Sequence, residues 1–268
     1  MTTQLTVFAD DAAAEAGRIA EAVASLPVSL HPGSLPADLV GIAGAAGWSR
    51  AAAEAVEGGA RGILVADPVA EDVAALQRLV DERRIPVVID GPWTYNPAVA
   101  DSAAAFAERN DEEGMVEVRV DVAVGSDLDR VLLGQLALVR AAVGPVVELR
   151  FDRRNRNGYD AVGSLAGGAR VSLAAIATNA VDPSASLRLL KARNAARLCV
   201  PDAATGAPGS VVVSTEQGAT LLVTKWESAH RGAWRALHEH VTSGSTGTDL
   251  ADFAEDVATA SSATRPAS

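Results

Sequence analysis

The sequence is poor in several residue types, and each shortage excludes something. One cysteine, Cys199, among 268 residues rules out an internal disulfide framework and fits a reducing compartment. Lys and Arg number 23 against 34 Asp and Glu, a net charge of −11. With no basic surplus to neutralise phosphates, nucleic acid and anionic membranes are poor partners. Aromatics make up only 4% of the chain, too few for a stacking surface. No apolar run approaches the roughly 20 residues of a membrane span, and the start MTTQLTVFADD lacks the basic opening of a signal peptide. These absences predict a cytoplasmic globular protein, and its length allows one large domain or two ordinary ones.

Two patterns fill the chain. Up to about residue 100, short apolar runs alternate with Ala-rich helical stretches. Strands are expected at Leu5–Phe8, Val28–Leu30, Asp38–Ala43, Gly62–Ala66 and Pro86–Asp90, with helices at Ala12–Ala24, Arg50–Glu57 and Val69–Glu82. Strands spaced by helices argue for a parallel sheet with right-handed crossovers. Beyond residue 100, Met115–Val124 alternates as a half-buried strand and Leu128–Val143 is a long apolar helix. Further strands are expected at Val146–Phe151, Arg170–Ala175, Ser186–Leu190, Arg197–Val200, Ser210–Ser214 and Thr220–Val223. Helices Ser228–Val241 and Asp249–Thr259 close the pattern. Hairpin-scale gaps predict a mostly antiparallel sheet. The fold class is therefore α/β plus α+β, with domains 1–100 and 101–260 and a flexible tail 261–268.

This order resembles the glucose–fructose oxidoreductase, inositol dehydrogenase and rhizopine-catabolism family (Gfo/Idh/MocA). The likeness rests on Gly59–Pro68 (GARGILVADP) and the helix after it, on Pro86–Val99 (PVVIDGPWTYNPAV), and on Trp234 with the stretch Thr242–Asp256. It implies a Rossmann-like NAD(P) domain followed by an open-faced, mostly antiparallel sheet that serves as an oligomer surface.

The family's motifs are replaced one by one. Dinucleotide binding uses glycines after the first strand, so that amides approach the pyrophosphate. Here Phe8–Ala14 reads FADDAAA, with no glycine and two carboxylates. Like charges 4 Å apart cost on the order of 4 kcal/mol even at an effective dielectric near 20. Where an acid for the ribose hydroxyls is implied stand His31, Pro32 and Gly33. The resemblance puts the family's Glu-Lys-Pro lysine on Asp67; if the match falls one strand later, it is Asp90-Gly91-Pro92, which lacks lysine too. Its Asp and His pair on the first long helix of the second domain finds no counterpart in Leu133–Arg140. The expectation is a homologue that does not turn over NAD(P), with no cofactor. It would act as a regulatory subunit or a binder of a sugar-like metabolite, assembling with itself or an active paralogue through the second sheet. The alternative is an active NAD(P)-dependent oxidoreductase on a sugar or cyclitol that binds its cofactor unconventionally.

Other residues could carry chemistry. Gly44 and Gly47 lie in a glycine-rich strand-to-helix turn whose amides suit an anion, although such turns use glycine for geometry alone. Trp93, Tyr95 and Asn96 follow the last parallel strand and suit a sugar face, or a buried junction. Arg154, Asn157 and Tyr159 belong to a polar cluster suited to a carboxylate or phosphate, or simply to a solvated hairpin. Glu227 and His230, three apart on an expected helix, could form an acid–base pair or be structural neighbours. With Asp67 they are the catalytic candidates, in a cofactor-independent lyase or isomerase. His238 and His240 point to different helix faces, and no metal site is expected. Cys199 reads as a small core residue and Trp234 as packing against the antiparallel sheet.

Overall fold

A computed structural model describes residues 4–107 and 113–264. The chain forms two compact units. Residues up to Tyr95 join Ala229–Glu255 in the first, and Asn96–Ser228 join the residues from Asp256 onward in the second. The chain thus leaves the first unit at Tyr95 and returns to it at Ala229, instead of dividing once near residue 100. Among the described residues no helix is long and apolar enough to cross a membrane.

The first unit is built on a five-stranded parallel sheet in the order β2-β1-β3-β4-β5. Its strands are β1 (Leu5–Ala9), β2 (Leu30–Pro32), β3 (Leu39–Ala43), β4 (Gly62–Ala66) and β5 (Val87–Asp90). All five residues of β4 are buried, as a central strand covered on both faces requires. The helix expected over Ala12–Ala24 is two short ones, α1 (Asp11–Ala16) and α2 (Ile19–Ala24). They part at Gly17 and Arg18, the latter left-handed at φ 45°. Helix α3 (Trp48–Glu57) starts two residues before Arg50, with Gly47 at its N-cap. Helix α4 (Ala74–Arg83) begins five residues later than Val69, because 68–73 is an irregular segment carrying Glu71.

The second unit carries an eight-stranded sheet in which β6 (Met115–Val122) lies between β9 (Arg170–Ala177), parallel to it, and β10 (Ser184–Leu190), antiparallel. The remaining strands are β7 (Val146–Asn155), β8 (Gly158–Leu165), β11 (Asn194–Pro201), β12 (Ser210–Thr215) and β13 (Gly218–Leu221), all paired antiparallel. Alternation sends Val116, Val118 and Val120 inward under α5 (Pro97–Ala107) and α6 (Leu128–Val143). Charged residues lie on the other face, where Arg188 pairs with Glu117 at 3.2 Å and Arg119 with Asp121 at 2.8 Å. Cys199 belongs to that partly exposed face, between Leu198 and Val200 which point into the core; it is not a core residue. Ser261–Thr264, expected to be flexible, is ordered: the Thr264 carbonyl accepts from the Phe151 amide at 3.0 Å. The rest of that tail, 265–268, lies outside the described residues.

Helix α7 (Ala229–Ser243) packs Trp234, fully buried, against the parallel sheet with Leu39, Leu64 and Val88, and not against the antiparallel one. Helix α8 (Asp249–Ser262) places Phe253 edge-on to Trp48, ring centroids 5.5 Å apart. The opening strands are tied by Asp38, which accepts from the Thr6 amide at 2.9 Å and hydroxyl at 2.8 Å and pairs with Arg61 at 3.0 Å. Partial burial alone would raise the Asp38 carboxyl. The Thr6 and Arg61 donors outweigh it and hold the group below its ordinary 3.8. Its stabilising effect is therefore present above that value and lost as pH falls through the lower folded one. Asp38→Asn is expected to lower stability by about 1–2 kcal/mol at neutral pH. That deficit should shrink as pH falls below the ordinary value, measured by urea denaturation of both proteins across the acid range.

Candidate functional site

In an open parallel sheet, ligands bind beyond the carboxyl ends of the strands. Here β3, β4 and β5 end in register, Ala43 beside Ala66 and Ala66 beside Asp90. The next residue, Asp67, turns back left-handed at φ 47°, and its amide donates to the Asp90 carbonyl at 2.9 Å. Two acidic residues thus sit side by side at the strand ends. Alternation along β5 puts Asp90 on the same face as Val88, toward α7, and its side chain is fully buried.

From the first turn of α7, His230 sets Nδ1 2.8 Å from Asp90 Oδ2. Oδ1 of Asp90 is buried and has no hydrogen-bond partner among the described residues. The Gly17 backbone lies close by: a Cβ there would begin 3.4 Å from Asp90 Oδ2 and 3.1 Å from the Ala66 Cβ. Burial pushes the Asp90 carboxyl above the usual 3.8; His230 opposes this and the Asp67 charge adds to it.

Of the catalytic candidates, the structure brings Asp67 and His230 together around Asp90, a residue without a predicted role of its own. The carboxylate 2.8 Å from His230 Nδ1 is that of Asp90. Helix α7 starts only at Ala229, so Glu227 precedes it and its carbonyl accepts from Asn96 Nδ2 at 3.5 Å. Trp226, 77% exposed, also lies outside the helix.

The glycine-rich turn is bound from within. Gly47, at φ 88°, and Ser49 donate their amides to the two carboxylate oxygens of Glu71, the second at 3.2 Å. These donors hold the Glu71 carboxyl below its ordinary range although burial works the other way. Gly44 serves close packing: a Cβ there would meet Pro68 Cα at 2.2 Å. Neither glycine leaves amides turned to an outside anion.

Trp93 is buried, and the Tyr95 hydroxyl donates to Asp249, which also accepts from the Ile89 amide at 3.0 Å. Burial first, then Asp249, drives the Tyr95 phenol well above its ordinary value. Tyr95 therefore anchors α8 to β5. In the second unit, buried Asn96 caps α5 by accepting from the Ala98 amide at 3.0 Å. Arg154 lies 5.2 Å over the Phe151 ring and pairs with Asp129 at 2.8 Å. Asn157 forms the β7–β8 turn, its carbonyl accepting from Ala177 at 2.8 Å. The buried Tyr159 hydroxyl donates to Gln135 at 2.7 Å, and Gln135 donates to the Val118 and Ala174 carbonyls at 3.2 Å each. The side chains of Tyr95, Asn96, Arg154 and Tyr159 thus each have a partner within their own unit. Among the described residues no three His, Cys, Asp or Glu side chains converge as a metal set.

In nucleotide domains a diphosphate is received at the turn between a strand and the helix that follows it. At the entry to α1, Asp10 Oδ1 accepts from the Ala13 amide at 2.8 Å, with Asp11 in the first turn. At α3 the anion is Glu71. Both helix starts hold a carboxylate of the chain, so their residues do not fit a nucleotide diphosphate.

No family model matches the sequence, and no curated protein resembles it closely enough to count as a relative. Solved structures do match over nearly the whole chain. UDP-N-acetylglucosamine 3-dehydrogenase GnnA from Acidithiobacillus ferrooxidans is 14% identical at a TM-score of 0.71, over 98% of this chain and 97% of its own. An oxidoreductase from Agrobacterium radiobacter, in complex with NAD+, L-tartaric acid and magnesium, is 14% identical at 0.70, over 97% and 95%. KijD10, a 3-ketoreductase from Actinomadura kijaniata in complex with TDP-benzene and NADP, is 15% identical at 0.66, over 97% and 89%. This likeness establishes the fold, a parallel sheet unit and a mostly antiparallel sheet unit, that the chain shares with these proteins. It also corrects the expectation of no cofactor: solved structures of this fold carry NADP or NAD+. The residues settle a narrower point, namely that the α1 and α3 starts are occupied by carboxylates.

Glu71→Gln is expected to lower stability by about 1 kcal/mol by weakening the cap on α3. Urea denaturation checks the loss, and amide hydrogen exchange should localise it to Gly47–Ser49.

Proposed function

We propose that this chain is a homologue of the NAD(P)-dependent oxidoreductases that does not itself carry out hydride transfer, and that it serves as a binding or regulatory protein for a sugar-like metabolite. One observation carries the reading. The strand end that the resemblance assigns to the family's lysine holds Ala66-Asp67-Pro68, with Asp67 beside the buried carboxyl of Asp90. An ammonium at that place would polarise a substrate hydroxyl, whereas a carboxylate repels the negative charge that develops on the oxygen. The proposal extends to assembly: the charged outer face of the eight-stranded sheet, with Arg119, Arg188 and Glu117, would pair with a second copy or an active paralogue.

The test mixes the protein with NAD+ or NADP+ and a panel of cyclitols, sugars and nucleotide sugars, and in reverse with NADH or NADPH and the matching ketones. No protein-dependent change of absorbance at 340 nm is expected for any pair. Steady turnover that scales with protein concentration and disappears in Asp67→Ala would overturn the reading. Nucleotide binding alone would not, since binding and hydride transfer are separate properties.

A further inference from the structure

We propose that the outer edge of β13 pairs with the same edge of a second copy of this chain, joining two eight-stranded sheets into one. β13 ends the sheet on one side, and among the described residues no strand lies beyond it. The opposite edge, β7, is covered: Thr264 bridges to Arg150, and its carbonyl accepts from the Phe151 amide at 3.0 Å. On the inner side of β13, Val213 stands opposite Thr220, and the Leu222 amide donates to the Val211 carbonyl at 2.9 Å. An antiparallel ladder alternates, so Gly218, Thr220 and Leu222 turn their amides and carbonyls toward β12, while those of Ala219, Leu221 and Val223 point outward. Such a row is a template for another strand, and natural edges are commonly guarded by charge, proline or a bulge. Residues 217–224 (QGATLLVT) hold no charge and no proline, and the β12–β13 register runs without a shift.

Two observations name a second copy as the occupant. The first is charge. Copies of a chain with net charge −11 repel one another in general, and this uncharged edge is where they meet with little repulsion. Glu216 flanks it at one end and Lys225 at the other. Both side chains stay more than half exposed beside Arg193 and Asp101, at 61% and 55%. Antiparallel pairing centred on Leu221 sets Ala219 against the partner's Val223 and brings Lys225 next to the partner's Glu216. A parallel pairing would align like charges instead. The second observation is area. Leu221, Val223 and Trp226 are 60%, 85% and 77% exposed within one short segment. Covering a Leu, a Val and a Trp removes about 300–500 Å² of apolar surface from water. A standard interface takes about 800 Å² from each partner, a little over half of it apolar. The segment thus supplies most of that apolar share. Across the sheet Leu221 lies in line with Val212, Arg197, Arg188 and Glu117, so the pairing extends the charged outer face and leaves it uncovered.

The inference goes beyond the preceding reading and does not rest on it: turnover of NAD(P)H would refute that reading and leave the edge pairing standing. Sedimentation equilibrium of the full chain is expected to show a dimer with a dissociation constant of about 1–100 μM. In the dimer the Ala219, Leu221 and Val223 amides should gain hydrogen-exchange protection that the dilute monomer lacks. Trp48, Trp93 and Trp234 are buried, so iodide quenching reads Trp226 and should fall as protein concentration rises. Leu221→Lys combined with Val223→Pro changes two outward-facing positions, and should weaken the dimer by about tenfold or more without lowering the urea midpoint of the monomer. Arg188→Glu, on the sheet face, should leave the dimer intact. A chain that stays monomeric throughout that concentration range, or a dimer that forms without protecting those three amides, overturns the proposal. So does a dimer that survives the edge variant; its loss in Arg188→Glu would then assign assembly to the sheet face. Should the double variant fail to fold, the exchange pattern of the wild-type protein decides by itself.

Discussion

Every helix that follows a strand of a parallel sheet opens with backbone amides that lack an intrahelical partner, and something must accept from them. At the starts of α1 and α3 the acceptors are the chain's own carboxylates. Asp10 closes the start of α1, and Glu71 reaches across from the segment before α4 to close the start of α3. The same solution recurs in the second unit, where Asp127 accepts from the Asp129 amide at the start of α6. The consequence reaches beyond stability. A nucleotide diphosphate uses the same amides and the same end of the dipole, so an internal carboxylate and an external phosphate are competitors for one place. Both helix starts are closed from within the chain, and the sheet beneath them is untouched.

The strand ends show the same preference for negative charge, with a different outcome. Asp90 cannot be satisfied by helix amides, because it projects from the side of β5 toward α7. A buried carboxyl without compensation is expensive, on a scale of several kcal/mol, and the system responds by neutralising or pairing the group. His230 supplies the pairing, and burial favours the protonated acid in opposition to it. That tension distinguishes the Asp90 carboxyl from Asp38, where donors from Thr6 and Arg61 prevail and the charged form is held firmly. The two aspartates belong to the same sheet. One acts as a clamp, and the other retains an acceptor with no assigned partner.

Long elements with a single periodicity were legible from sequence. Helix α6 has the bounds read from its apolar face, and β3, β4, β5 and β6 lie within a residue or two of theirs. Misses occur where a local rule was overridden. Ala12–Ala24 reads as one helix by composition, yet it breaks where Gly17 passes Ala66 and Asp90 with no room for a longer side chain. Helix α5 was not read at all, although Asn96 followed by Pro97 is an N-cap before a first-turn proline. β8 escaped because Gly158 and Gly163 dilute its alternation, while both are required by carbonyls that approach within about 2 Å of where a Cβ would lie. The site was less legible still. His230 stood out, but its partner lies 140 residues away, and the nearby Glu227 fitted a helix that in fact starts later. Asp90 had one visible signal, an acid closing an apolar strand, and nothing local says what it faces.

Fold and chemistry respond to different amounts of sequence. Apolar alternation and strand–helix spacing survive at 14–15% identity because many residues satisfy them interchangeably. A site depends on a few atoms, and position 67 illustrates how backbone and chemistry are linked there. With φ at 47°, the residue occupies a region that Asp and Asn enter far more readily than most side chains. Its amide is committed to the Asp90 carbonyl, and its charge lies next to a carboxyl already raised by burial. Exchanging Asp67 alone for a basic residue would therefore change three things together: the cost of the turn, the field at Asp90, and the competition for the carboxylate that His230 now holds. The acidic strand end is a coupled arrangement, and its chemistry has to be understood as that of Asp67, Asp90 and His230 acting on one another.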